Sequence, residues 1–125
     1  MRRFLLLLYA LLGACSTPAE LVLNETDNGR FSDVLTGEKV VISLPENQTT
    51  GYLWRFFAAP VGFFADVHEE YIAPNTTLLG AGGVKRYSFT VNSVGRATLT
   101  AFYYRPWEPL DMQKDLRVEF YFTAK

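Results

Sequence analysis

The chain reads as an all-β, immunoglobulin-like sandwich of about seven to eight antiparallel strands, held together without a disulfide. Three observations predict this. Short runs alternate apolar and polar residues with a period of two, the mark of half-buried strands. Clusters of Gly, Pro, Asn, Asp and Thr punctuate those runs as turns. No stretch of helix length carries a 3.6-residue period, and there is no internal repeat or low-complexity tract. A small closed β-barrel is the alternative that the same pattern allows.

Taken in order, the first fourteen residues stand apart from the domain. "MRRFLLLLYALLGAC" has two arginines, an apolar run and then small residues, the three-part layout of an export signal. The run Phe4 to Leu12 falls well short of the roughly 20 residues that span a bilayer as a helix. "LGAC" ending at Cys15 resembles the lipobox of bacterial lipoproteins, which implies a lipidated Cys15 and a mature chain of residues 15–125. The expected product is a single domain behind a short tether, anchored in a bacterial cell envelope by acyl chains only. Cleavage elsewhere, giving a secreted soluble chain, is the alternative.

Seven runs are the strand candidates. In "KVVISL" Val40, Ile42 and Leu44 point one way, and in "VKRYSFTV" Tyr87, Phe89 and Val91 share a face. "RATLTAFYYR" groups Ala97, Leu99, Ala101 and Tyr103, and "LRVEFYF" turns Leu116, Val118, Phe120 and Phe122 inward. "ELVLN", "YLWRFF" and "FFADVHE" are weaker candidates. Removal of the signal leaves 111 residues, enough for one hydrophobic core and too few for two. With a single cysteine, packing alone must hold that core, and ten Phe, seven Tyr and two Trp supply the apolar area.

Composition excludes several functions. Losing Arg2 and Arg3 moves the net charge from -1 to -3, so no basic footprint for nucleic acid is left. His68 is the only histidine; its neighbours Glu69 and Glu70 alternate across the strand and cannot both converge on it. It reads as a solvated residue at a strand edge. No HExxH, CxxC or G-x-S-x-G is present. The expectation is a monomeric protein with no enzyme activity, metal or cofactor.

The distinctive residues sit in three connecting segments, where a rigid β scaffold usually carries its binding groups. Residues 47–54 read "NQTTGYLW": Asn47, Gln48, Thr49, Thr50, Gly51 and Tyr52, with Trp54 on the same face as Tyr52 and expected to anchor the loop in the core. "LLGAGG" places Leu78 and Leu79 beside Gly80, Gly82 and Gly83, whose bare backbone can approach another surface closely. "RPW" sets Arg105 and Trp107 around Pro106. Tyr, Trp and Arg dominate interface energetics, and proline limits the entropy lost on binding.

In this order the three segments resemble those of chagasin-type inhibitors of papain-like cysteine proteases, which carry N-P-T-T-G-[YF]-x-W, then G-x-G-G, then R-P-W. The likeness spans essentially the whole mature domain. It implies an immunoglobulin-like sandwich whose first loop lies over the catalytic cysteine and histidine of the protease. The glycine loop would then run along one flank with Leu78 or Leu79 at an apolar pocket. On the other flank Trp107 would stack on an aromatic wall, with Arg105 reaching a carboxylate or carbonyl. Gln48 stands where the family usually has proline; the lost φ restraint is expected to loosen the loop and lower affinity. A cell-envelope sandwich for adhesion or ligand binding is the rival reading. Three N-glycosylation sequons begin at Asn24, Asn47 and Asn75, and a glycan on Asn47 would obstruct the first loop. A bacterial envelope would leave them bare.

Overall fold

The structure is a computed structural model and describes residues 20–125. Residues 1–14, expected to direct export, and Cys15 lie outside the described residues. Eight strands form two four-stranded sheets packed face to face: β1 (Glu20–Asn24), β2 (Phe31–Val34), β3 (Lys39–Glu46), β4 (Leu53–Ala59), β5 (Phe64–Ile72), β6 (Gly83–Val91), β7 (Gly95–Tyr104) and β8 (Leu116–Ala124). One sheet has the order β1-β3-β6-β5 and the other β2-β8-β7-β4. Three single 3₁₀ turns are the only helical elements among the described residues.

The antiparallel expectation holds for the four central pairings, whereas β1 on β3 and β2 on β8 are parallel. The N-terminal chain causes both exceptions. It runs up one sheet as β1, turns at Asn24, and descends the other sheet as β2. Asn24 caps that turn, its Oδ1 accepting from the Thr26 N–H at 2.9 Å. The four-residue β2 was not among the sequence candidates. It shows only Ser32 and Val34 inward, too brief an alternation to stand out.

Period-two alternation placed most of the core correctly. Val40, Ile42 and Leu44, Tyr87, Phe89 and Val91, and Val118, Phe120 and Phe122 are all buried between the sheets. An aromatic seam takes the place of a disulfide. Phe89 packs edge-on to Phe64 at 4.6 Å and to Phe122 of the opposite sheet at 5.5 Å. Tyr87 stacks on Phe56, again across the sandwich, at 4.5 Å. Offset and edge-to-face pairs of this kind add about 0.5–1.5 kcal/mol each beyond area burial. One assignment differs, and one buried ring lies outside the alternating set. Leu116, expected inward, is 58 % exposed; it is the first residue of β8, at the pole where β7 and β8 connect. Phe102 lies on the outer face yet is buried beneath Phe57, at 5.8 Å.

Strand direction decides what the sandwich presents. β3 ends, and β4 begins, at one pole, as do the β5–β6 and β7–β8 connections. The turns β2–β3, β4–β5 and β6–β7 lie at the other pole. They are joined there by bonds such as Gly37 N–H to Val91 O at 2.8 Å and Asn92 N–H to Phe63 O at 2.9 Å. His68 sits on edge strand β5, exposed and remote from the first pole, beside a bulge between Ala65 and His68.

Candidate functional site

All three singled-out segments meet at the first pole. The β3–β4 loop begins with Asn47 in extended geometry (φ -107°, ψ 95°), its Oδ1 accepting from the N–H and the hydroxyl of Thr49 at 3.1 and 2.6 Å. Residues Gln48–Thr50 make one 3₁₀ turn, closed by Thr50 N–H to Asn47 O at 3.2 Å and Gly51 N–H to Gln48 O at 3.1 Å. The Thr50 hydroxyl also donates to Asn47 O, at 2.7 Å. Gly51 then adopts φ 82°, a left-handed value that costs a side-chain-bearing residue about 1–2 kcal/mol. A second reason for glycine is steric. A Cβ here would overlap Cη2 of Trp107 and lie 3.1 Å from its Cζ3. The indole of the third loop therefore lies directly over the glycine of the first.

An aromatic ladder carries this loop into the core. Tyr52 rests on Tyr103 at 5.3 Å, and Tyr103 on Trp54 at 4.7 Å. Trp54 is buried, as expected, and its Nε1–H donates to Pro45 O at 2.7 Å. The Tyr103 hydroxyl accepts from the Asn47 N–H at 3.0 Å, so one ring supports both ends of the 3₁₀ turn.

The β5–β6 loop, residues 73–82, presents Leu78 at 75 % exposure and Leu79 fully exposed. Gly80 is left-handed (φ 77°), and its carbonyl accepts from Asn47 Nδ2 at 2.8 Å, which ties the second loop to the first. Gly82 has ordinary room around it. Gly83 does not. A Cβ there would overlap Ile72 O and stand 2.6 Å from the Tyr71 hydroxyl, so Gly83 serves the β5–β6 ladder.

The third loop follows β7. Arg105 Nε–H donates to Thr50 O at 3.2 Å, and its guanidinium lies over the Tyr52 ring at 4.6 Å. Expected to reach outward, Arg105 thus binds the first loop to the third. Pro106 is exposed, and Trp107 is 70 % exposed although its inner edge covers Gly51.

Sequence reasoning missed Glu46, the last residue of β3. It is 1 % exposed, accepts from the Trp54 N–H at 2.8 Å through Oε1 and from Gln48 Nε2 at 2.9 Å through Oε2, and has Lys85 Nζ at 4.0 Å. The clue was present, since period two puts residue 46 on the inward face with 40, 42 and 44. Tyr103 was assigned inward but not given its role under the loop.

The result is a pole with three hydrogen-bonded loops, a 3₁₀ turn at the centre, and Leu78, Leu79 and Trp107 protruding. Such an exposed apolar and aromatic cluster marks an interaction surface. Comparison with known proteins bears on which kind. Residues 33–123 match the family described as chagasin family peptidase inhibitor I42. Chagasin of Trypanosoma cruzi is 36% identical over 89 residues, covering 68% of this chain and 81% of chagasin. A cysteine protease inhibitor of Entamoeba histolytica superposes with a TM-score of 0.74 at 19% identity, over 88% of this chain and 99% of that one. PbICP-C, solved in complex with falcipain-2, gives a TM-score of 0.55 at 19% identity, over 87% and 92%. The match over residues 33–123 and the identity with chagasin show that the chain belongs to the chagasin family of peptidase inhibitors.

Proposed function

We propose that the protein inhibits papain-like cysteine proteases reversibly, by seating the three loops in and beside the active-site cleft. The observation that carries this reading is the wiring between loops: Asn47 Nδ2 to Gly80 O and Arg105 Nε to Thr50 O hold the first loop against both neighbours. A surface ordered before contact loses less entropy on binding. The shape of the central turn should also protect the loop from cleavage. A protease cuts a segment presented in extended form, whereas Gln48–Gly51 is a 3₁₀ turn ending in a left-handed residue. Thr49 and Thr50, both exposed, then offer hydroxyl and backbone groups to the catalytic cysteine and histidine without placing a scissile bond before the thiolate. Leu78 and Leu79 fit an apolar specificity pocket on one flank, and Trp107 an aromatic wall on the other.

Titration against papain tests the reading. Stoichiometric, reversible loss of activity at nanomolar protein is expected, with the inhibitor recovered uncut. No effect at micromolar concentration against several papain-like enzymes would refute it and favour an adhesion or ligand-binding module.

For location, the reading is a bacterial envelope protein exported by residues 1–14 and anchored through acyl chains on Cys15. The lipobox-like "LGAC" supports it. Mass spectrometry of the native protein checks it: a diacyl or triacyl mass on a chain starting at Cys15 is expected, and a soluble chain starting elsewhere would overturn it.

A further inference from the structure

The geometry points to Glu46 and Gln48 as a latch that sets the first loop, with both acting as positioning residues for inhibition. An ionised carboxylate buried to this degree is costly unless hydrogen-bonded and balanced. Glu46 meets both conditions in an informative way. Its Oε1 takes the backbone N–H of Trp54, where the chain returns from the loop into β4. Its Oε2 takes the side-chain amide of Gln48, where the chain leaves β3. One carboxylate thereby grips the outgoing and returning limbs of the loop at its root, and Lys85, itself largely buried, supplies the counter-charge.

The position of Gln48 gives the latch its purpose. It is the second residue of the turn closed by Thr50 N–H to Asn47 O, the place where a β-turn favours proline because a fixed φ near -65° suits it. Asn47 before it is extended, the geometry a residue preceding proline prefers. Here the side chain of Gln48, held by Glu46, performs the restraint that a pyrrolidine ring would impose through the backbone. The loosening expected from glutamine at this position is thus opposed by a charge-assisted bond.

The proposal rests on the reading of this loop as the inserted one, so the test has an arm that needs no protease. Gln48→Met keeps the length and removes the donor, and as a change at an exposed residue it leaves the core intact. Amide hydrogen exchange of Thr50 and Gly51 in the free full-length chain should quicken about tenfold, since a bond to a charged group is lost. The papain inhibition constant should rise by a similar factor, about tenfold. Gln48→Pro should restore both values to near wild type by fixing φ instead. Unchanged exchange in Gln48→Met would overturn the latch. Faster exchange with an unchanged inhibition constant would overturn its link to binding. Should the wild-type chain fail to inhibit papain, the inhibitor reading falls alone, and the exchange arm still decides the latch.

Discussion

Gly51→Ala is the most informative single change, because two independent demands fall on that glycine. Its left-handed φ of 82° should cost an alanine about 1–2 kcal/mol. For a domain of this size that corresponds to a fall in melting temperature of roughly 4–10 °C. The new methyl would also occupy the space of the Trp107 indole, whose far edge lies over Gly51. That ring is on an exposed loop and can swing aside, so the overlap should appear in binding rather than in stability. Displacing a central aromatic anchor costs at least about 2 kcal/mol of affinity, roughly thirtyfold in the inhibition constant. A double-mutant cycle separates the two demands. Trp107→Ala alone should lose the thirtyfold and leave the melt nearly unchanged. Adding Gly51→Ala to it should lower the melt as before but weaken inhibition little further. Papain titrations and thermal melts on the four proteins give all the terms. Fully additive affinity losses would show that ring and glycine act independently, and an unchanged melt for Gly51→Ala would refute the backbone argument.

Other outcomes follow from the same geometry. Arg105→Lys keeps the charge but loses the Nε–H to Thr50 O and the planar contact with Tyr52, and should raise the inhibition constant about five- to tenfold with little change in melting. Leu79→Asp, at a fully exposed position, should leave the melt within about 1 °C, consistent with a surface change. It should weaken papain inhibition at least tenfold if the residue enters an apolar pocket, and unchanged inhibition would remove Leu79 from the site. Asn47→Ala breaks the bond to Gly80 and the cap on Thr49 together; faster amide exchange at Thr49 and weaker inhibition by about tenfold are expected, against no change if the loops are independent. Phe89→Ala should cost about 3–5 kcal/mol in denaturant unfolding, since Phe89 touches rings of both sheets, and a loss under 1 kcal/mol would contradict the seam.

The fold was legible wherever alternation ran long enough to fix a face. β3, β6 and β8 showed it over eight or nine residues, and their inward sets proved nearly complete. β2 has four residues and escaped notice, and the parallel pairings of β1 and β2 depend on the chain passing from one sheet to the other over residues 25–30, which no local pattern encodes. Leu116 followed the period but not the burial, because at a strand's first residue alternation fixes the face and not how much of the side chain is covered. The loops were recognisable by residue type, yet their wiring was not. Arg105 could as well have reached a partner as Thr50 O, and only the fold puts that carbonyl 3.2 Å away. Glu46 was readable in principle as an acid on the inward face of an apolar strand, a placement that requires a partner.

The opposition of the two poles has a consequence for attachment. Glu20 pairs with Lys39 at the foot of β3, and Lys125 bonds back to Val34, so the first described residue and the last both lie at the pole opposite the three loops. A strand the length of β3 separates that foot from the three loops by roughly 25 Å. For a chain held at Cys15, five further residues reach at most about 18 Å. The geometry is then that of a post set in a surface with its working end uppermost. A protease captured by the loops of a chain so anchored would be held clear of the bilayer, its bulk facing outward, and carriers or solid supports joined next to Glu20 or Lys125 would leave the three loops free.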